Sequence, residues 1–198
     1  MEAIWGSFKG KNKYIVFAVF LFITGIVLGY LIFRYNPELV MKNIQNLLGN
    51  ILKISRAMGK QNKLYITGLI FQNNIKALLF MMFGGVVFGL VPLLGILFNG
   101  FAVGMVMAMN FYHGRSLAFF LAAMLPHGIL ELPAIIIAAA FGLKMGAELI
   151  FPGNHSRIEL LKQNLQNSVL ALGILVPLLF IAAAVEAIIT PYLAKNFI

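Results

Sequence analysis

Apolar residues run almost unbroken from Tyr14 to Phe33. That is the ~20-residue length a helix needs to cross a bilayer. Residues 75–92 and 94–112 form a second apolar region, divided by a turn near Pro92–Gly95, and give two shorter spans. Residues 117–143 are again apolar, about 27 in all, long for one span and short for two. A polar, proline-flanked motif lies inside them, so the pattern predicts a helix broken or re-entrant at 125–133. Residues 169–190 make the last span, ended by Pro191. Between these runs lie two segments of different character. In residues 38–66, Met41, Ile44, Leu48, Ile51 and Leu52 recur at helical spacing against Lys42, Lys53, Arg56 and Lys60. This predicts an amphipathic helix in the membrane interface or capping the spans. Residues 144–167 are a polar connector, with Leu160, Leu161 and Leu165 marking a short amphipathic helix.

The expected fold is therefore an all-α polytopic membrane protein. One membrane domain spans 1–198, with about five transmembrane segments, one of them broken, and an amphipathic interfacial helix. Composition agrees: 61% of the 198 residues are hydrophobic and 11% charged, against about a quarter charged in soluble domains. The first run is too long for the apolar core of a signal peptide, and Leu31-Ile32-Phe33-Arg34 offers no small-residue cleavage site, so a retained span is expected. Cysteine is absent, which excludes disulfides and thiolate metal sites. The formal charge of +9 points, in a membrane protein, to anionic lipids rather than nucleic acid. Lys9, Lys11 and Lys13 favour a cytoplasmic amino terminus, which would place the basic 38–66 helix outside, against the same rule. Four Gly-x-x-x-Gly pairs, Gly25/Gly29, Gly85/Gly89, Gly100/Gly104 and Gly142/Gly146, predict close helix packing within one bundle.

The candidate chemistry is concentrated in Leu125-Pro126-His127-Gly128-Ile129-Leu130-Glu131-Leu132-Pro133. Ionisable groups at membrane depth are costly and normally face a cavity or a partner. His127 and Glu131, four residues apart, share a helix face and can hydrogen-bond. They either lock helices together or serve as a proton relay or ligand site. Glu186, near the end of the last span, is an interfacial glutamate or a buried partner for His127 or a cation. No resident metal is expected: a catalytic zinc takes about three protein ligands, and His127, Glu131 and Glu186 would supply them only if the last span lay alongside. Asn73, Asn74, Asn99 and Gly100 stand at span mouths, where asparagine usually caps helices. Pro126, Gly128 and Pro133 shape the motif. There is no Asp and no nucleophile–base–acid constellation, so neither an enzyme nor a cofactor is expected.

Four segments carry a family resemblance. They are Phe71-Gln72-Asn73-Asn74, Phe98-Asn99-Gly100, the 125–133 motif followed by Ala138-Ala139-Ala140-Phe141-Gly142-Leu143, and Ala183-Ala184-Val185-Glu186-Ala187-Ile188-Ile189-Thr190-Pro191. Together they resemble the stage II sporulation protein M family. The resemblance implies a polytopic bacterial or archaeal protein of about five spans in the cell (cytoplasmic) membrane. In endospore formers the founding member sits in the mother-cell membrane, acts in forespore engulfment, and recruits two cell-wall-degrading sporulation proteins, P and D. The His-Gly-x-x-Glu form seen here is that of the wider family, which also occurs in organisms that make no spores. The leading expectation is a non-enzymatic scaffold for membrane or cell-wall-remodelling partners, able to form homo-oligomers. The alternative is a transporter or permease component using His127, Glu131 and Glu186; the third is an intramembrane metal-dependent hydrolase.

Overall fold

A computed structural model describes residues 6–8, 10–43, 49 and 62–195. Five long helices carry the fold: α1 (Asn12–Tyr35), α2 (Lys63–Phe83), α3 (Leu90–Tyr112), α4 (Leu117–Ile150) and α5 (Arg157–Ile188), followed by the short α6 (Thr190–Ala194). All five long helices are long and apolar enough to cross a membrane. The chain alternates direction through the bundle. α1, α3 and α5 run one way and α2 and α4 the other, as shown by Gly25 against Leu97, Gly29 against Phe101, and Glu148 against Asn164. The outer surface is apolar, with Val16, Phe20, Phe80, Phe98, Phe180 and Ile181 all exposed. That is the surface lipid requires rather than water.

Glycine sets how the helices meet. A Cβ on Gly25 or Gly29 of α1 would fall on the carbonyl oxygens of Leu97 or Phe101, and one on Gly100 or Gly104 of α3 on those of Phe22 or Ile26. The two Gly-x-x-x-Gly motifs thus face each other and bring two backbones into contact. The other two motifs pair likewise: Gly85 lies on the Gly142 backbone and Gly146 on Gly89. Lipid tails are as apolar as leucine, so helices associate in a bilayer through such close packing. α4 is central and packs against α1, α2, α3 and α5. Its inward face is small over Ala134, Ala138, Ala139, Gly142 and Gly146, all buried.

Several boundaries differ from the sequence pattern. α4 is one helix through 125–133, not a broken or re-entrant pair. Pro126 and Pro133 each remove one backbone donor, leaving the Ala122 and Ile129 carbonyls without their helical partners. Membrane helices tolerate this where neighbouring helices and local adjustments compensate, and α4 packs against α1, α2, α3 and α5. The turn between α2 and α3 lies at residues 84–89, with Phe88 (φ 50°) and Gly89 (φ 76°) left-handed. Pro92 instead occupies the first turn of α3, where proline has no hydrogen bond to lose. The 144–167 segment is mostly helical: α4 continues to Ile150 and α5 begins at Arg157. Of the expected 38–66 helix, residues 37–43 are helical and residues 63–66 open α2, while 44–48 and 50–61 lie outside the described residues. Val40, not Met41, turns inward, joining Phe33, Ala102, Met105 and Ala108.

At the end of the bundle where α1 begins, Lys11 is buried. Its Nζ donates to the Ser7 carbonyl and stands 4.3 Å from the centre of the Phe141 ring. Close by, Lys144 Nζ meets Glu148 Oε1 at 2.6 Å, and Asn164 Nδ2 donates to Glu148 Oε2 at 2.6 Å. Burial, with a smaller contribution from Lys144 and an opposing one from Glu148, pushes the Lys11 ammonium down from 10.5 to about 8. Between those values the unfolded chain binds more protons than the folded one, so stability rises as pH increases from about 8 towards 10.5. Lys11→Met should flatten that rise in thermal unfolding measured across this window.

The glycine contacts yield a second prediction. Gly104→Val should cost on the order of 2 kcal/mol or more, as overpacking does at a site with no room to relax. Gly68→Ala, where nothing lies within 4 Å of the added methyl, should be neutral or stabilise by about 0.5–1 kcal/mol. Thermal stability of both variants in detergent checks the contrast.

Candidate functional site

Three helices bring polar groups together within the bundle. His127 and Glu131 come from α4, Glu186 from the last turn of α5, and Asn74 from the middle of α2. At 1.5 Å per residue, His127 lies about 15 Å and Glu131 about 21 Å along α4 from its start. α2 and α5 meet beside them through Ile66, Ile70, Ala183 and Ala187, with Phe71 edge-on to Phe180. The small alanines of α5 let its backbone approach α2 and carry Glu186 towards α4.

One ligand atom each from His127, Glu131 and Glu186 lies within 4.8 Å of the others. His127 Nε2 is 3.9 Å from Glu186 Oε2, and the two side chains are 15% and 23% exposed. The direct hydrogen bond that the spacing of His127 and Glu131 allows is not formed between them. The imidazole turns to the far end of α5 and to α6 instead. Its Nδ1 is 3.3 Å from Thr190 Oγ1, and Thr190 Oγ1 donates to the Val185 carbonyl at 3.4 Å. A hydroxyl has a single proton. With that proton on Val185, Thr190 accepts from His127 Nδ1–H, which fixes the tautomer and leaves Nε2 as a bare lone pair. That lone pair faces the Glu186 carboxyl.

Asn74 borders the same space. It is 8% exposed, and its Oδ1 accepts from Asn73 Nδ2 at 3.3 Å. Its side chain stands beside the Glu131 carboxyl, with Nδ2 just short of a well-formed hydrogen bond to it. The only other such buried side-chain atom among the described residues is Ser168 Oγ. Buried donors are rarely left unmade, and the Glu131 carboxyl is the acceptor within reach of Nδ2.

The other sequence candidates fall into distinct places. Asn73 supports Asn74. Neither caps α2: Asn62 does, accepting from Leu64 N at 2.9 Å, because the helix begins well before the apolar run. Asn99 lies inside α3, where it donates to the Gly95 carbonyl and lines an apolar groove of about 780 Å³ with Phe80, Leu94 and Phe98, away from His127. Gly100 belongs to the α1–α3 contact. A Cβ on Gly128 would meet only Leu132 and Met124 side chains at 3.8 Å, so no close approach requires glycine there. Pro126 and Pro133 bracket the His127–Glu131 turn within α4. Thr190 has no role in the sequence pattern beyond standing before Pro191. Its hydroxyl becomes legible only when α6 folds back over α4.

The class defined by fold and site is a five-span, all-helical integral membrane protein with a His–Glu–Glu cluster inside its bundle. Residues 18–191 match the Stage II sporulation protein M family, and the chain belongs to it. Two uncharacterized proteins of Methanocaldococcus jannaschii are similar to it. One is 26% identical over 181 residues, covering 91% of this chain and 95% of its own length. The other is 27% identical over 198 residues, covering 93% and 85%. No solved structure matches the chain.

Thr190→Val should remove the acceptor that fixes the imidazole. The expected loss is about 1–3 kcal/mol, the cost of leaving a buried donor unsatisfied. Thermal unfolding of Thr190→Val beside Thr190→Ser checks it, with serine retaining most of the stability.

Proposed function

We propose that this membrane protein is non-enzymatic and of transporter class, taking up a cation at His127, Glu131 and Glu186. One observation carries this: an imidazole nitrogen and two carboxyl groups from two helices converge within 4.8 Å. Such an arrangement inside a bilayer attracts a proton or a metal ion, because electronegative groups brought together away from water need a positive charge among them. A site meant only to lock helices would be better served by direct hydrogen bonds. The polar residues lie where α2, α4 and α5 meet, and shifts between those helices would change the site's access. The cytoplasmic membrane is the location this function takes, and the basic residues at both ends of the bundle suit contact with anionic lipid.

A second reading, a scaffold that recruits envelope-remodelling partners, is favoured by family membership and by α2. Gln72 and Lys76, four residues apart and both exposed, put a polar contact on the outer face of α2. A partner helix or a second copy of the chain would cover it.

Glu131→Gln separates the two. It keeps shape and hydrogen bonding while removing the charge. The expected result is a variant of near wild-type thermal stability that no longer moves cations into proteoliposomes, followed with proton- and metal-sensing dyes. A stable Glu131→Gln variant with undiminished flux would overturn the cation reading.

A further inference from the structure

We infer that the cation taken by this site is a divalent first-row transition metal ion of the zinc type, held by His127 Nε2 and the carboxylates of Glu131 and Glu186. The inference rests on the cation reading above and names its substrate class. Three features of the geometry choose a metal over a proton. A proton bridges two atoms, whereas here three converge, from two helices. His127 is oriented as metal-ligating histidines are: Nδ1–H is engaged by Thr190, whose own proton goes to Val185, and Nε2 is left to ligate. Glu131 has the outer partner that ligating carboxylates take, because the nine-tenths-buried Asn74 stands beside it with its Nδ2 donor at the carboxyl.

The donor set selects among metals. Calcium takes six to eight oxygens, and magnesium a near-ideal octahedron with several waters. One imidazole nitrogen with two carboxylate oxygens suits zinc and its neighbours. Ligand atoms around tetrahedral zinc lie about 3.3 Å apart at bond lengths of about 2.0–2.1 Å. The 3.9 Å separation of His127 and Glu186 and the 4.8 Å limit of the cluster therefore require closure by about 0.6 Å and at most about 1.5 Å, within reach of carboxylate rotation. Three protein ligands leave a fourth position open, as an ion that must enter and leave requires.

The test uses the full chain in detergent, stripped with a chelator and titrated with Zn²⁺, with bound metal counted by elemental analysis and thermal stability followed in parallel. The expected result is one high-affinity Zn²⁺ per chain with a rise in melting temperature, and no such rise with Mg²⁺ or Ca²⁺. His127→Gln and Glu186→Gln should lose that ion. Asn74→Ala should keep the stoichiometry and weaken binding about 10- to 100-fold, the usual effect of removing an outer-shell partner. His113 and His155 remain in every variant and report surface binding. Absence of stoichiometric binding, or binding unchanged in a folded Glu186→Gln, would overturn the metal inference. Proton flux without metal binding would sink the metal and keep the cation reading. Metal binding without flux of any ion would keep the metal and sink transport.

Discussion

Backbone contact between helices is the constraint on which this structure depends. In a bilayer no hydrophobic difference drives one helix onto another, so the bundle is held by how closely the helices fit. Four glycine pairs supply that fit at two places, α1 on α3 and the α2–α3 turn on α4. The second contact matters most for the site. It seats the carboxyl-terminal half of α4 in the middle of the bundle, so that the amino-terminal half, with His127 and Glu131, is carried past α2 and α5. Packing at one end of α4 thereby positions chemistry at the other.

The site itself shows how a polar cluster is tolerated there. None of its members is satisfied by a neighbour on its own helix alone. His127 needs Thr190 beyond the end of α5, Asn74 needs Asn73 on one side and an acceptor on the other, and the Glu131 and Glu186 carboxyls meet across two helices. Partial burial keeps the cost of these groups moderate while excluding most solvent. The bare Nε2 of His127 is where the cluster stays open, and it is the position that the proposed cation would fill. The polar cluster of Lys144, Glu148 and Asn164 at the opposite end of α4 and α5 is different. Its members bond one another directly at 2.6 Å, so it reads as a structural clasp.

The five-span plan was legible from apolar runs because bilayer thickness sets their length, and membership of the family was legible from the 125–133 and 183–191 motifs. Gly25, Gly29, Gly100 and Gly104 announced close packing by spacing alone, since only residues one turn apart can form a groove for another helix. Which motif met which was not written in the spacing. Helix ends were missed where polar residues extend a helix beyond its apolar run, as Lys63 to Asn74 do in α2 and Lys144 to Ile150 in α4.

His127 and Glu131 stood out by themselves, because ionisable groups and prolines in an apolar run are conspicuous in any arrangement. Local rules misjudged the backbone around them and left their partners open. Two prolines predicted a break, but α4 lies among four neighbours and stays helical throughout. Spacing of four allowed a hydrogen-bonded pair, but side chains one turn apart are also free to turn to other partners, and His127 did so. The convergence with Glu186, far along the chain from His127, and the roles of Asn74 and Thr190 came from the antiparallel packing of α5 on α4 and the return of α6. Sequence determined which groups were available at membrane depth. Tertiary structure alone decided which of them share a site, because only packing brings distant turns of separate helices within ångströms of each other.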